Sequence, residues 1–132
     1  MKKKLLFAAI MVMAVLCLAG CSIKYASHYS ALMLVTTNTS SHARINFSSF
    51  DGTKSFRLNC KTPGTLLSYS GKLDDGNVAV SIDTDGTERE LFSLSSKQET
   101  ASTTALSAKG PVYIIVRSNG KAKGGSFSFE LQ

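Results

Sequence analysis

From Ala31 onward the chain repeats one motif. Short segments rich in Val, Ile, Leu, Phe, Tyr and Thr alternate with polar turn clusters, and no long stretch repeats its apolar residues at helical spacing. This pattern predicts strands near Ala31–Thr37, Ala43–Ser48, Thr53–Cys60, Thr65–Gly71, Asn77–Thr84, Arg89–Ser95, Ser102–Ala108, Val112–Ser118 and Ser126–Leu131. Between them, Asn38-Thr39-Ser40-Ser41, Asp51-Gly52, Pro63-Gly64, Asp74-Asp75-Gly76-Asn77, Asp85-Gly86 and Asn119-Gly120 supply residues that tolerate positive φ or preset a bend. Parity assigns the faces. Val78, Val80 and Ile82 share one side with Ala79, Ser81 and Asp83 opposite; Phe127, Phe129 and Leu131 oppose Ser126, Ser128 and Glu130. Val112–Val116 is apolar on both sides, as in a central strand covered twice. Eight or nine short strands with one-sided burial predict an all-β fold, a two-layer antiparallel, jelly-roll-like β-sandwich.

The first thirty residues break this rhythm. Ser22–Ser30 is polar and short, which predicts a tether. Before it, Met1-Lys2-Lys3-Lys4 leads into an apolar run from Leu5 to Leu18, well short of the ~20 residues that span a bilayer as a helix. The run ends in Leu18-Ala19-Gly20-Cys21. Positive start, short apolar helix and small residues before a cysteine resemble the export signal and lipobox of bacterial lipoproteins. That resemblance implies a diacylglyceryl group on the Cys21 thiol and cleavage between Gly20 and Cys21. The expected organisation is a signal peptide over 1–20, a lipidated tether over 21–30 and a sandwich over 31–132. The mature protein is then anchored to the outer side of a cell membrane without spanning it. In a diderm host, Ser22 after the cysteine is compatible with passage to the outer membrane.

Charge changes the picture little. The net charge is +6, and loss of Lys2, Lys3 and Lys4 with the signal leaves +3, which removes the main support for nucleic-acid binding. Cys21–Lys72 carries six Lys or Arg against Asp51 alone, but in an antiparallel fold the two halves interleave, so the asymmetry reads as scattered surface charge, with weak attraction to anionic headgroups the lesser alternative. Of three cysteines, Cys17 lies in the signal and Cys21 is the lipid site, which leaves Cys60 without a disulfide partner. Cys60 follows Phe56 and Leu58 at a spacing of two, the pattern of a buried, inert thiol.

Phe50–Phe56, Gly76–Gly86, Gly110–Val116 and Ala122–Phe129 are similar to successive blocks of small secreted bacterial β-sandwiches of the pre-peptidase C-terminal type. The resemblance covers about residues 45–131. It implies a jelly-roll-like sandwich and brings no catalytic residues.

Candidate chemistry is sparse. His28 and His42 are the only histidines, one in the tether and one at a turn, so neither is placed as the base of a nucleophile or, with Cys60, as a metal ligand at zinc-site spacing. Asp83-Thr84-Asp85-Gly86 resembles the start of a calcium loop, but the twelfth position falls on Leu94, and a hairpin turn explains the same residues. Asp74 and Asp75 could join Asp83 and Asp85 at one end of the sandwich. Sugar-binding sandwiches use aromatic platforms; this chain has no Trp, and its candidates are Tyr25, Tyr29, Tyr69 and Tyr113. Gly124-Gly125 reads as a turn before the last strand. The expectation is a non-enzymatic envelope lipoprotein without cofactor or metal, whose partner is an unknown envelope protein. The alternative is a glycan-binding or calcium-dependent surface module.

Overall fold

The computed structural model describes residues 25–132. The segment expected as a signal peptide, with Gly20, and the expected lipid site Cys21 lie outside them. Nine strands follow one another: β1 (His28–Leu32), β2 (Val35–Asn38), β3 (His42–Cys60), β4 (Leu66–Asp75), β5 (Val78–Asp83), β6 (Glu88–Leu94), β7 (Gln98–Ala105), β8 (Gly110–Ser118) and β9 (Ala122–Leu131). Every pairing is antiparallel, in the order β6-β5-β8-β3-β9-β4-β7, with β1 and β2 also on β3. Among the described residues no helix is long and apolar enough to cross a membrane.

The strand β3 joins two layers. Phe50 pairs with Ala31 on one edge and Ala122 on the other, and Thr53 pairs with His28 and Arg117. A strand has only two edges, so β9 and β8 both lie opposite β1, the first beside the N-terminal half of β3 and the second beside its C-terminal half. The path therefore folds at β3 into one layer of β2-β3-β9-β4-β7 and another of β3-β8-β5-β6. This is the expected two-layer sandwich. Its far side is closed by β6 against β4 and β7.

Three local expectations are corrected. Ala43–Ser48 and Thr53–Cys60 are one continuous strand, and Asp51-Gly52 is its corner, not a reversal. There Gly52 takes φ +133°, and an added Cβ would stand 2.5 Å from the His28 carbonyl oxygen, so only glycine lets β1 pass. As β3 changes partner from β9 to β8, the Gly52 N–H donates to Ser118 Oγ at 2.8 Å. The expected strand Ala31–Thr37 is two, because Met33 adopts φ 51° between β1 and β2. It also starts early: His28–Ser30, expected as tether, are paired with β3. Gly124 and Gly125 lie inside β9. The Phe47 ring fills the place of a Gly125 side chain, with Cζ 2.2 Å from where Cβ would be.

The core follows parity. Ile45, Phe47, Phe56, Leu58, Cys60, Leu67, Leu73, Val78, Val80, Ile82, Ile114, Phe127 and Phe129 are buried between the layers. Rings run through it in contact, Phe50 to Phe47 to Phe127 to Phe92, where Tyr69 stacks at 5.3 Å and 6°. Cys60 is buried as expected, its thiol donating to the Thr62 carbonyl at 3.2 Å.

Candidate functional site

Each layer has an outward face, and the two differ. On the β3-β8-β5-β6 layer, pairing aligns Arg57, Tyr113, Asp83 and Glu88 in one row and Ser55, Ile115, Ser81 and Glu90 in the next. The N-terminal segment lies over these rows. Tyr25 donates its hydroxyl to Asp83 Oδ2 at 2.6 Å, and its ring meets Tyr113 at 5.3 Å. Ser27 Oγ accepts the Ser55 N–H at 2.9 Å. Asp83, 1% exposed, also accepts the Gly86 N–H at 2.7 Å. The hydrogen bond to the Asp83 carboxylate, then burial, pushes the Tyr25 phenol up from 10.0 to about 12. Ile115 is fully buried although its parity turns it outward. Arg117 pairs with Glu88 on the same face.

On the β2-β3-β9-β4-β7 layer the outward face is open. Pairing aligns Thr37, Arg44, Ser128, Ser70 and Ala101 in one row, and Val35, Asn46, Ser126, Lys72 and Glu99 in the next; His42, Glu130, Ser68 and Thr103 form a third. Ser126 Oγ donates to Asn46 Oδ1 at 2.5 Å, and Gln132 Nε2 to Ser68 Oγ at 2.6 Å. A shallow depression of about 490 Å³ lies between Ser70, Lys72, Glu99, Ala101 and Ser126. Guanidinium, ammonium, amide, carboxylate and hydroxyl groups thus stand at strand spacing, a few ångströms apart, without an aromatic side chain among them.

The sequence candidates scatter. Tyr69 is packed on Phe92, Tyr25 and Tyr113 meet on the covered face, and Tyr29 leans on Phe50 at the β1 edge. No shared platform forms. Asp74 and Asp75 close β4 just before β5, whereas Asp83 is the last residue of β5 and Asp85 lies in the turn after it, so the length of β5 holds the two acidic turns apart. That corrects the idea that they meet at one end. Among the described residues no group of three His, Cys, Asp or Glu gathers as a metal site. His28 lies on β1 and His42 on β3, both toward solvent. The polar rows of the open face were not singled out from sequence; the alternation of serines in 126–130 and 68–70 was their only signal.

No model of a known protein family matches this chain, and no curated protein sequence matches it. Solved structures do resemble its chain path. The carbohydrate-binding module TmCBM61, solved with β-1,4-galactotriose, aligns over 80% of this chain and 87% of its own at 14% identity and a TM-score of 0.47. The C-terminal CBM6 of LamC from Zobellia galactanivorans aligns over 78% and 90% at 13% identity and a TM-score of 0.41. A variant of CBM29-2, from family 29 of the carbohydrate-binding modules, aligns over 81% and 78% at 12% identity and a TM-score of 0.41.

Proposed function

We propose that this chain is a non-catalytic binding module of the bacterial envelope, held to the membrane by acylated Cys21, whose open face takes a hydroxyl-rich polymer, a glycan. The observation that carries the ligand class is the two-row array of Arg44, Asn46, Ser126, Ser128, Ser70, Lys72 and Glu99 on one exposed sheet face. A protein partner wants a desolvated aromatic or aliphatic anchor at the centre of its contact, and this face offers none. A polyol satisfies such a face group by group. Without a ring to stack on, each sugar contributes hydrogen bonds alone, which are individually worth only about 0.5–1.5 kcal/mol. Single sugars therefore bind weakly and polymers gain by repetition.

The anchor and the ligand are tested separately. Labelled fatty acid fed to producing cells should appear on the protein and vanish from Cys21→Ser; persistent label on that variant removes the lipoprotein reading. Affinity electrophoresis against neutral and acidic polysaccharides should retard the protein, and Asn46→Ala with Lys72→Ala should restore its mobility. Equal mobility in every polysaccharide removes the glycan reading.

A further inference from the structure

Among the described residues, the three most exposed large apolar side chains gather in one place. Leu32 is 63% exposed, Met33 81% and Val35 62%, all on the free edge formed by β1 and β2. The reason is local. Both strands keep one register on β3, so they are a single edge interrupted at Met33 and Leu34. Ala31 and Leu34 turn inward against the core. Leu32 and Met33 between them are left projecting. Met33 holds φ 51°, a conformation that disfavours every side chain with a Cβ, while its thioether chain makes no core contact that would repay it.

We infer that Leu32, Met33 and Val35 enter the interfacial layer of the membrane that carries acylated Cys21. The inference rests on the lipid-anchor reading above. Two observations choose a lipid surface over other occupants. Cys21 precedes Leu32 by only eleven residues in the sequence, so an acyl anchor there keeps the apolar edge on a short tether to the leaflet. Beside the edge, Leu32 shares a depression with Lys121 and Asp51, and its partner Ser49 pairs on with Lys123, which pairs in turn with Asp75; all four charged residues are exposed. Apolar tips flanked by ammonium and carboxylate groups match the acyl boundary and the zwitterionic headgroups of a leaflet. Each fully transferred side chain of this size favours the membrane by roughly tenfold or more. The β1–β2 edge is then held against the leaflet, and its otherwise unpaired strand groups are shielded from another chain.

The test uses the lipidated mature protein in vesicles of phosphatidylethanolamine and phosphatidylglycerol. Met33→Cys offers one reactive thiol for an environment-sensitive fluorophore, since Cys21 is acylated and Cys60 buried. Thr103→Cys, exposed on β7, is the reference. The probe at 33 should shift to the blue, be quenched by bromine-labelled acyl chains and be protected several-fold from an aqueous quencher; the probe at 103 should stay wet. Equal aqueous quenching at 33 and 103 in protein that floats with the vesicles overturns the docking and leaves the anchor standing. Protein that does not float overturns both. Protection at 33 that grows with protein density at constant lipid means a second copy covers the edge, which also overturns the inference.

Discussion

Ile115 and Ser70 both stand on the outward side of an inner strand, one in each layer, yet Ile115 is fully buried and Ser70 faces water. Alternation alone assigns them equivalent positions. Among the described residues the covering lies on one side only: the chain entering the domain crosses β8 and β5, fastens by Tyr25 to Asp83 and by Ser27 to β3, and does not reach the β3-β9-β4 face. One outer face is covered over its middle, where it carries the apolar strand Val112–Val116, while Arg57, Glu88 and Glu90 stay exposed around it; the other stays polar through serine after serine. A covered face is chemistry used for folding, and an uncovered one is free for a ligand.

The largest break in this comparison comes from truncating the two residues. Ile115→Ala should destabilise by about 2–5 kcal/mol, since a fully buried side chain leaves a void. Ser70→Ala should stay within about 0.5 kcal/mol, as surface changes do. Denaturant unfolding measures both. Near-equal values would mean that the covered face is not part of the core.

A smaller effect is expected at the fastening itself. Tyr25→Phe removes one hydrogen bond to a carboxylate at a partly exposed site, worth about 1.5–3 kcal/mol before solvent screening reduces it. The sign of its pH dependence follows from the raised pKa: the neutral phenol is the donor, so its contribution is full below pH 10 and lost as pH rises toward about 12. The stability gap between the parent and Tyr25→Phe should therefore narrow across that alkaline window and be flat below it. A gap that widens there would mean the phenolate, not the phenol, holds the segment.

Most of this architecture was legible in the chain. Parity placed Phe47, Phe56, Cys60, Phe92, Phe127 and Phe129 inward because burial on one face is a period-two signal. The doubly apolar Val112–Val116 announced a covered strand, though not what part of the chain covers it. Asp51-Gly52 misled because a glycine that permits a reversal equally permits a close strand passage, and the letters do not say which neighbour approaches. Gly124-Gly125 misled for a related reason: Gly125 makes room for the Phe47 ring, a contact between residues far apart in sequence. The open face was hidden because its rows are assembled across β2, β3, β9, β4 and β7, and serines that alternate along a strand look like any solvated side.

The smallest expected effect concerns the acidic turns at the two ends of β5. Asp83 already spends its oxygens on the Tyr25 hydroxyl and the Gly86 amide, and Asp75 accepts from Ser96 at 3.0 Å. Six strand residues separate the turns, on the order of 17 Å at ~3.3 Å per residue, too far to share an ion that wants six to eight oxygens within about 2.6 Å. An ion at Asp83 would also have to displace the segment that covers the face, so calcium binding and the Tyr25 fastening oppose each other. Thermal melts of the mature protein in chelator and in millimolar calcium should coincide. A site filled to 100 times its dissociation constant would add about 2.7 kcal/mol, several degrees for a domain of this size. A rise of that size that disappears in Asp83→Asn would show that the covered face opens to a cation. The contrast between the two faces would then be a switchable state of one of them.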